Sequence, residues 1–349
     1  MPNSTVELAN QSYVPVIRNS KISYGGSQMW FPKSIRNSKE HIIHTYGCGT
    51  IATADMFLYL ALQKKELNTT LTSIALPETM QILYDNYLSY VLEVHNKYTK
   101  TKRYLAVLGP SLAHAINNYS NQFTLGYVAT WKWRLSYYEM LDQMEFMLSQ
   151  DIPVILSIGP NTPKLWGRHG ISFYEHKEIE YQASEEVINT SSEVIDLSTN
   201  DDEKLIIDVK DKEETKSPQN NEGNIVNKDV TDSTELKDDK DLKEYKEPIE
   251  AKNNLNIIEN KLNGTAEPIV RRKPYYYKAS YNDIHGHYVT VTGIVKDDVA
   301  GRIMLRISSW GREYYINYEE YRDYIESHSG TYTSSMVHIK KDRIYYYHK

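Results

Sequence analysis

The chain has 349 residues and a mass of 40.6 kDa, enough for one large domain or two small ones. A net charge of −6 with pI ≈ 6.0 gives no electrostatic basis for a nucleic-acid partner. A single cysteine excludes an intrachain disulfide and any Cys-rich zinc site, and no run of about 18 apolar residues offers a membrane span. Tyrosine is over-represented, 30 against 5 Phe and 5 Trp, so most aromatic surface carries a hydroxyl suited to wet clefts. The opening residues lack a continuous apolar segment, so no cleavable signal peptide is expected and the expected compartment is the cytoplasm.

In chain order, residues 1–40 are polar and broken by Gly25-Gly26 and Pro32, which predicts an irregular arm anchored through Met29-Trp30-Phe31. Residues 41–176 read as a helical half. A helix is predicted from Cys48 to about Lys64, with one apolar face formed by Ile51, Ala54, Leu58, Ala61 and Leu62. Further helices are predicted over 74–98, with Pro77 in the first turn, over 112–119 with Ser111 as cap, and over 137–149 with Ser136 as cap. Strands are predicted over 123–134 and 153–158.

From 177 to 270 the composition shifts to Glu, Asp, Lys, Asn, Ser and Thr with isolated aliphatics. Such a stretch cannot bury enough apolar surface to offset chain entropy, which predicts a disordered insertion rather than a domain. Residues 271–349 read as a β-sheet half, with strands over 275–280, 287–295, 303–308, 313–317 and 335–340 and a helix over 318–327. Arg271-Arg272-Lys273 reads as the solvated boundary of the insertion, and Tyr275 to Tyr277 as packing residues. Helices first and antiparallel strands later make an α+β layout.

The chemistry concentrates in residues 44–63. Cys48 lies between Gly47 and Gly49 at a predicted helix start, where free backbone N–H groups and the helix dipole favour a thiolate. A nucleophilic thiol needs a base. His287 opens an alternating strand, and Leu-Arg-Ile-Ser-Ser-Trp-Gly at 305–311 forms the next one, placing Ser308, Ser309 and Trp310 near the start of the His287 strand.

Gly-Cys-Gly at a helix start, a late Gly-His-Tyr-Val strand and then Ser-Ser-Trp-Gly together resemble the papain-like cysteine peptidase superfamily, within it the bacteriocin-processing (double-glycine) peptidases. The resemblance covers about 45–65, 136–160 and 275–320. It implies a papain-like fold, Cys48 as nucleophile and His287 as base, and it puts the third, imidazole-orienting position on Ser308. That family uses Asn or Asp there, so Asp283, Asp297 or Asp298 are alternative orienters. The family's oxyanion Gln precedes the cysteine closely. Here position 42 is Ile, which leaves the Cys48 backbone N–H with Gln28, His44 or Tyr46, and Trp310 beside the cleft.

The function expected from the resemblance is hydrolysis of a peptide or amide bond in a peptide or protein substrate, without cofactor or metal. The alternative is a catalytically weak or inactive papain-like binding module using the same cleft. His285 with His287 and His41 with His44 are His pairs at spacings compatible with metal, but no third ligand converges on either. His169 reads as a loop residue bordering the cleft, and Asp55 as solvent-facing or a structural acceptor.

Overall fold

The computed structural model describes residues 4–33, 35–159, 170–182, 270–279, 281–297, 301–329 and 334–342. The elements in chain order are β1 (Ser4–Glu7), β2 (Val16–Arg18), β3 (Lys21–Ile22), α1 (Lys39–Tyr46), α2 (Cys48–Gln63), β4 (Ile82–Leu83), α3 (Tyr84–Val94), α4 (Gly109–Gln122), β5 (Tyr127–Trp133), α5 (Tyr137–Ser149) and β6 (Val154–Ile158). The second part holds β7 (Tyr174–Gln182), β8 (Val270–Lys278), β9 (His287–Asp297), β10 (Arg302–Ser309), β11 (Arg312–Asn317), α6 (Tyr318–Ser329) and β12 (Ser335–Lys341). The fold is α+β.

Among the described residues the main sheet runs β5-β12-β6-β9-β10-β11-β7-β8, with β1 also paired to β9. The two predicted halves are therefore woven into one layer: β5 and β6 come from the first and lie among strands of the second. β9 is the hub. Its first half pairs with β6 and its second half with β1, along one edge, while β10 runs antiparallel along the other. A small second sheet, β3-β2-β4, holds the N-terminal segment.

The expected irregular arm is thus corrected. Residues 1–40 supply three strands and, through Leu8, Tyr13, Val14, Val16 and Phe31, part of the main core. The predicted anchor holds at Phe31, which is buried, and Trp30, which packs on the core, whereas Met29 is exposed. Short strands of two to four residues carry too little alternation to be read locally; β1 is made by long-range pairing with β9, and β2 by pairing with β4 as well as with its neighbour β3.

Other boundaries move for identifiable reasons. The helix predicted from Ile74 begins at Tyr84, because Ile82–Leu83 pair with β2 and Pro77 lies in a turn-rich connection; a π-helical turn, His95–Thr99, extends α3. Leu108, not Ser111, caps α4, since Pro110 sits in its first turn. α5 matches its predicted bounds, with a reciprocal Ser136–Glu139 capping box. Strand structure takes in residues at both ends of the predicted insertion. β7 runs to Gln182 and β8 begins at Val270, so Arg271-Arg272-Lys273 lies within a strand, and residues 183–269 lie outside the described residues. Tyr276 packs against Tyr315, while Tyr275 and Tyr277 are exposed.

α2 is the central helix. The sequence predicts one apolar face, yet every residue from Cys48 to Ala61 is buried, Asp55 included. One helix side meets the sheet at β9; the others meet α3, α4 and the N-terminal segment, so small and aromatic residues close around it on all sides.

Candidate active site

Gly47 positions the thiol. It closes α1 by donating its N–H to the Ile43 carbonyl at 2.8 Å, and it opens α2 by accepting from Ile51 at 2.9 Å. A Cβ there would stand 2.3 Å from the Ile43 oxygen, so only glycine lets two helices meet at this angle. At Gly49 a Cβ would press on Tyr288 and Leu112 at 3.2 and 3.3 Å, bringing the first turn of α2 close against β9.

Cys48 is buried, and burial pushes its thiol up; backbone hydrogen bonds from Tyr288, Gly49 and its own N–H oppose the rise without cancelling it. The low thiolate pKa expected from the helix start is therefore corrected: desolvation outweighs the helix terminus. His287 moves in the complementary direction. Burial lowers its pKa to about 4. With the thiol raised and the imidazole lowered, both groups are uncharged at neutral pH; they line one cleft and no hydrogen bond joins them.

That cleft is part-open and holds about 270 Å³ of free space, its mouth to solvent included. Cys48, Ile51, Ala52 and Asp55 line it from α2, His287, Tyr288 and Thr290 from β9, Ser308 to Trp310 from the end of β10, and Gly26 and Gln28 from the N-terminal segment. The imidazole is held on two sides. Its Nε2 lies 2.9 Å from the Ser309 Oγ, and Trp310 stacks on the ring at 4.8 Å between centroids and 25° between planes. Trp310 and Gly311 form the two-residue turn between β10 and β11, with φ of +50° and +78°, the primed hairpin geometry. A tryptophan at positive φ is strained, and the turn presents its ring to the histidine.

The assignment of Ser308 as orienter is corrected. Its hydroxyl donates to the Tyr24 carbonyl at 2.8 Å. Strand parity explains this. Ser308 pairs across from Thr290, on the face that Tyr288 shares and that meets α2, whereas Ser309 falls on the face of Val289 and His287. Of the alternative carboxylates, Asp283 is engaged elsewhere. Asp283 accepts the Gly170 N–H at 2.6 Å, Asp297 ends β9 at the strand terminus opposite His287, and Asp298 lies outside the described residues, as does His169.

Of Gln28, His44, Tyr46 and Trp310, Gln28 and Trp310 line the cleft with Cys48, and Gln28 is the one that offers an amide donor. Its Nε2 donates to the His44 carbonyl at 3.1 Å, an orphan acceptor at the end of α1, and one amide hydrogen is left over. His44 turns away: its Nδ1 meets the Phe31 carbonyl at 2.5 Å, and burial lowers its pKa. Tyr46 packs edge-on against Tyr104, outside the cleft. His41 Nδ1 lies 3.2 Å from the Lys33 carbonyl, so the His41/His44 pair does not converge. Among the described residues no three His, Cys, Asp or Glu side chains are grouped to hold a metal ion, and no helix is long and apolar enough to cross a membrane.

The sequence reading misses Ser309 beside the imidazole; of its two alternatives for Asp55, solvent-facing or structural acceptor, the second holds, in a buried setting. For Asp55 a signal existed. It is the only charged residue in the 16 of α2, and a lone charge in an otherwise uncharged helix points inward more readily than out. Its carboxylate accepts the Gly26 N–H at 2.8 Å and the Tyr87 O–H at 2.5 Å, and burial raises its pKa to about 7.

Comparison of the chain with models of protein families, with curated protein sequences and with solved structures finds no match.

Proposed function

We propose that the protein is a papain-like thiol hydrolase acting on a peptide or amide carbonyl, with Cys48 as nucleophile and His287 as base. The observation that carries this reading is the shared cleft: Cys48 at the start of α2 and His287 at the start of β9 both line it, and Ser309 and Trp310 hold the imidazole in place. Because both groups rest uncharged, the Cys48 proton passes to His287 as sulfur attacks the carbonyl carbon. The imidazolium then gives its proton to the leaving amine, and its Nε2–H donates to Ser309 Oγ throughout. The Cys48 backbone N–H and the second amide hydrogen of Gln28 meet the oxyanion. Water, or an amine in a transferase variant, releases the acyl group. A single unpaired thiol fits work in the reducing cytoplasm.

A specific observation favours a second reading, a papain-like binding module with little turnover: thiol and imidazole make no hydrogen bond, and a serine stands where a carboxamide or carboxylate would orient the base more firmly. Acylation by p-nitrophenyl acetate separates the two. The hydrolase reading expects a burst of nitrophenolate that Cys48→Ala abolishes and His287→Ala slows by about a hundredfold. Equal rates in wild type and His287→Ala leave the binding module as the reading to pursue.

A further inference from the structure

Residues 24–30 form a strap that borders the cleft through Gly26 and Gln28. The strap is tied at its ends: the Tyr24 N–H donates to the Gly311 carbonyl at 3.0 Å, the Tyr24 carbonyl accepts from Ser308, and the Trp30 carbonyl accepts from the Tyr84 hydroxyl at 3.1 Å. In its middle the Gly26 N–H reaches Asp55. The fit there is close. A Cβ on Gly25 would stand 2.2 Å from Ser308 Oγ and 2.8 Å from Asp55 Oδ2, and one on Gly26 would stand 1.7 Å from the Tyr87 hydroxyl. Gly25 also has φ +78°, open to glycine at little cost. Tyr87, held by Asp55 through its hydroxyl, meets Trp30 edge-on at 5.6 Å. One carboxylate therefore grips the strap twice, directly at Gly26 and through Tyr87 at Trp30.

We propose that Asp55 is a positioning residue that latches the 24–30 strap onto the nucleophile helix and so sets where the Gln28 amide stands relative to Cys48. The latch itself is a matter of geometry; its catalytic consequence rests on the thiol hydrolase reading. Asp55 touches neither thiol nor imidazole. It acts from two turns further along α2, so a shift of the strap moves the oxyanion donor while leaving nucleophile and base in place.

The test uses the full-length chain and two readouts. The first is amide hydrogen exchange in peptides covering 24–30. Asp55→Ala is expected to speed exchange there by about tenfold, with β9 and β10 unchanged. Asp55→Asn keeps an acceptor for Gly26 and is expected to stay close to wild type. The second readout is the ratio of Cys48 acylation by p-nitrophenyl acetate, which forms an oxyanion, to alkylation by iodoacetamide, which does not. Asp55→Ala is expected to lower that ratio about tenfold, in step with Gln28→Ala, and Asp55→Asn to restore it. Unchanged strap exchange in Asp55→Ala, or a rise spread equally over β9 and β10, overturns the latch. Should that variant fail to fold, Tyr87→Phe removes one grip and is held to the same exchange criterion. An unchanged ratio in Gln28→Ala counts against the oxyanion assignment alone, and strap exchange still decides the latch.

Discussion

Ser309 and His287 share one face of the β9–β10 pair, and the 2.9 Å contact between Oγ and Nε2 follows from that parity. Ser308, one residue earlier, faces α2 and holds the N-terminal segment instead. The two serines therefore divide two tasks that the sequence motif assigns to a single position. Ser309→Ala is expected to slow p-nitrophenyl acetate acylation about tenfold with little change in melting temperature. Ser308→Ala is expected to cost about 1 kcal/mol of stability, with a smaller effect on the reaction. Urea unfolding beside the acylation assay checks both. Equal kinetic losses in the two variants contradict the division.

The uncharged resting pair has a kinetic signature. Burial raises the Cys48 thiol and lowers His287, so iodoacetamide alkylation is expected to climb only above the ordinary thiol range, near about 8.5, with no reactive plateau at acid pH. A plateau below pH 7 that His287→Ala abolishes reveals a thiolate–imidazolium pair and refutes the neutral resting state.

Asp55 and His287 pull stability in opposite directions over one pH window. His287 has a folded pKa near 4, below its unfolded value. Between about 4 and 6.5 the unfolded chain binds the extra proton, and stability rises with pH. Asp55 has a folded pKa near 7, above its unfolded value. Between about 4 and 7 the folded chain holds the extra proton, and stability falls as pH rises. The titratable groups around Asp55 are Tyr87 and Tyr90 from α3 and Tyr13 from the N-terminal segment, with Cys48 and His287 in the same cleft; the tyrosines stay neutral across this window. Relative to wild type, Asp55→Asn is expected to make stability climb more steeply with pH, and His287→Gln to make it climb less or fall. Each difference approaches about 1.4 kcal/mol per pH unit at most. Denaturant midpoints from pH 4 to 7 give the slopes, and a curve for Asp55→Asn parallel to wild type contradicts the buried, protonated carboxyl.

The two glycines flanking Cys48 are expected to respond unequally to alanine. Gly47→Ala drives a methyl into the Ile43 carbonyl and should lower stability by about 3 kcal/mol or more, enough to disturb folding. Gly49→Ala asks Tyr288 and Leu112 to move by a few tenths of an ångström and should cost about 1 kcal/mol. Thermal melts of both variants check the ranking. Equal losses contradict the role of Gly47 as the joint of two helices.

The parts of the fold that the sequence discloses are those fixed by local chemistry. Ser136 and Glu139 mark α5 because a capping box is a four-residue event, and β9 alternates within itself, Val289 and Val291 against Thr290 and Thr292. β1 and β4 are invisible locally because their partners lie far along the chain, as with Val6 opposite Ile294 and Ile82 opposite Val16, and the β2–β3 hairpin is too short to show alternation. At the site, Cys48 and His287 are legible from their glycine and strand contexts, and Gln28 from being the last glutamine before the thiol. The choice between Ser308 and Ser309 is not legible. It depends on which face of β10 meets α2, and a register shift between Arg306 and Ile307 resets that parity just before the serines.

β1 has a protective consequence. It covers residues 293–296 of β9, its Glu7 carboxylate lies 2.9 Å from the Arg306 guanidinium, and the Leu8 N–H continues the pairing to the Thr292 carbonyl. Shortening the chain to begin at Asn10 would leave a bare strand edge with unpaired backbone groups beside a buried arginine stripped of its counter-charge. Such an edge recruits strands from other molecules. The first visible effect of that trimming would be self-association and loss of solubility, while the cleft itself stayed intact.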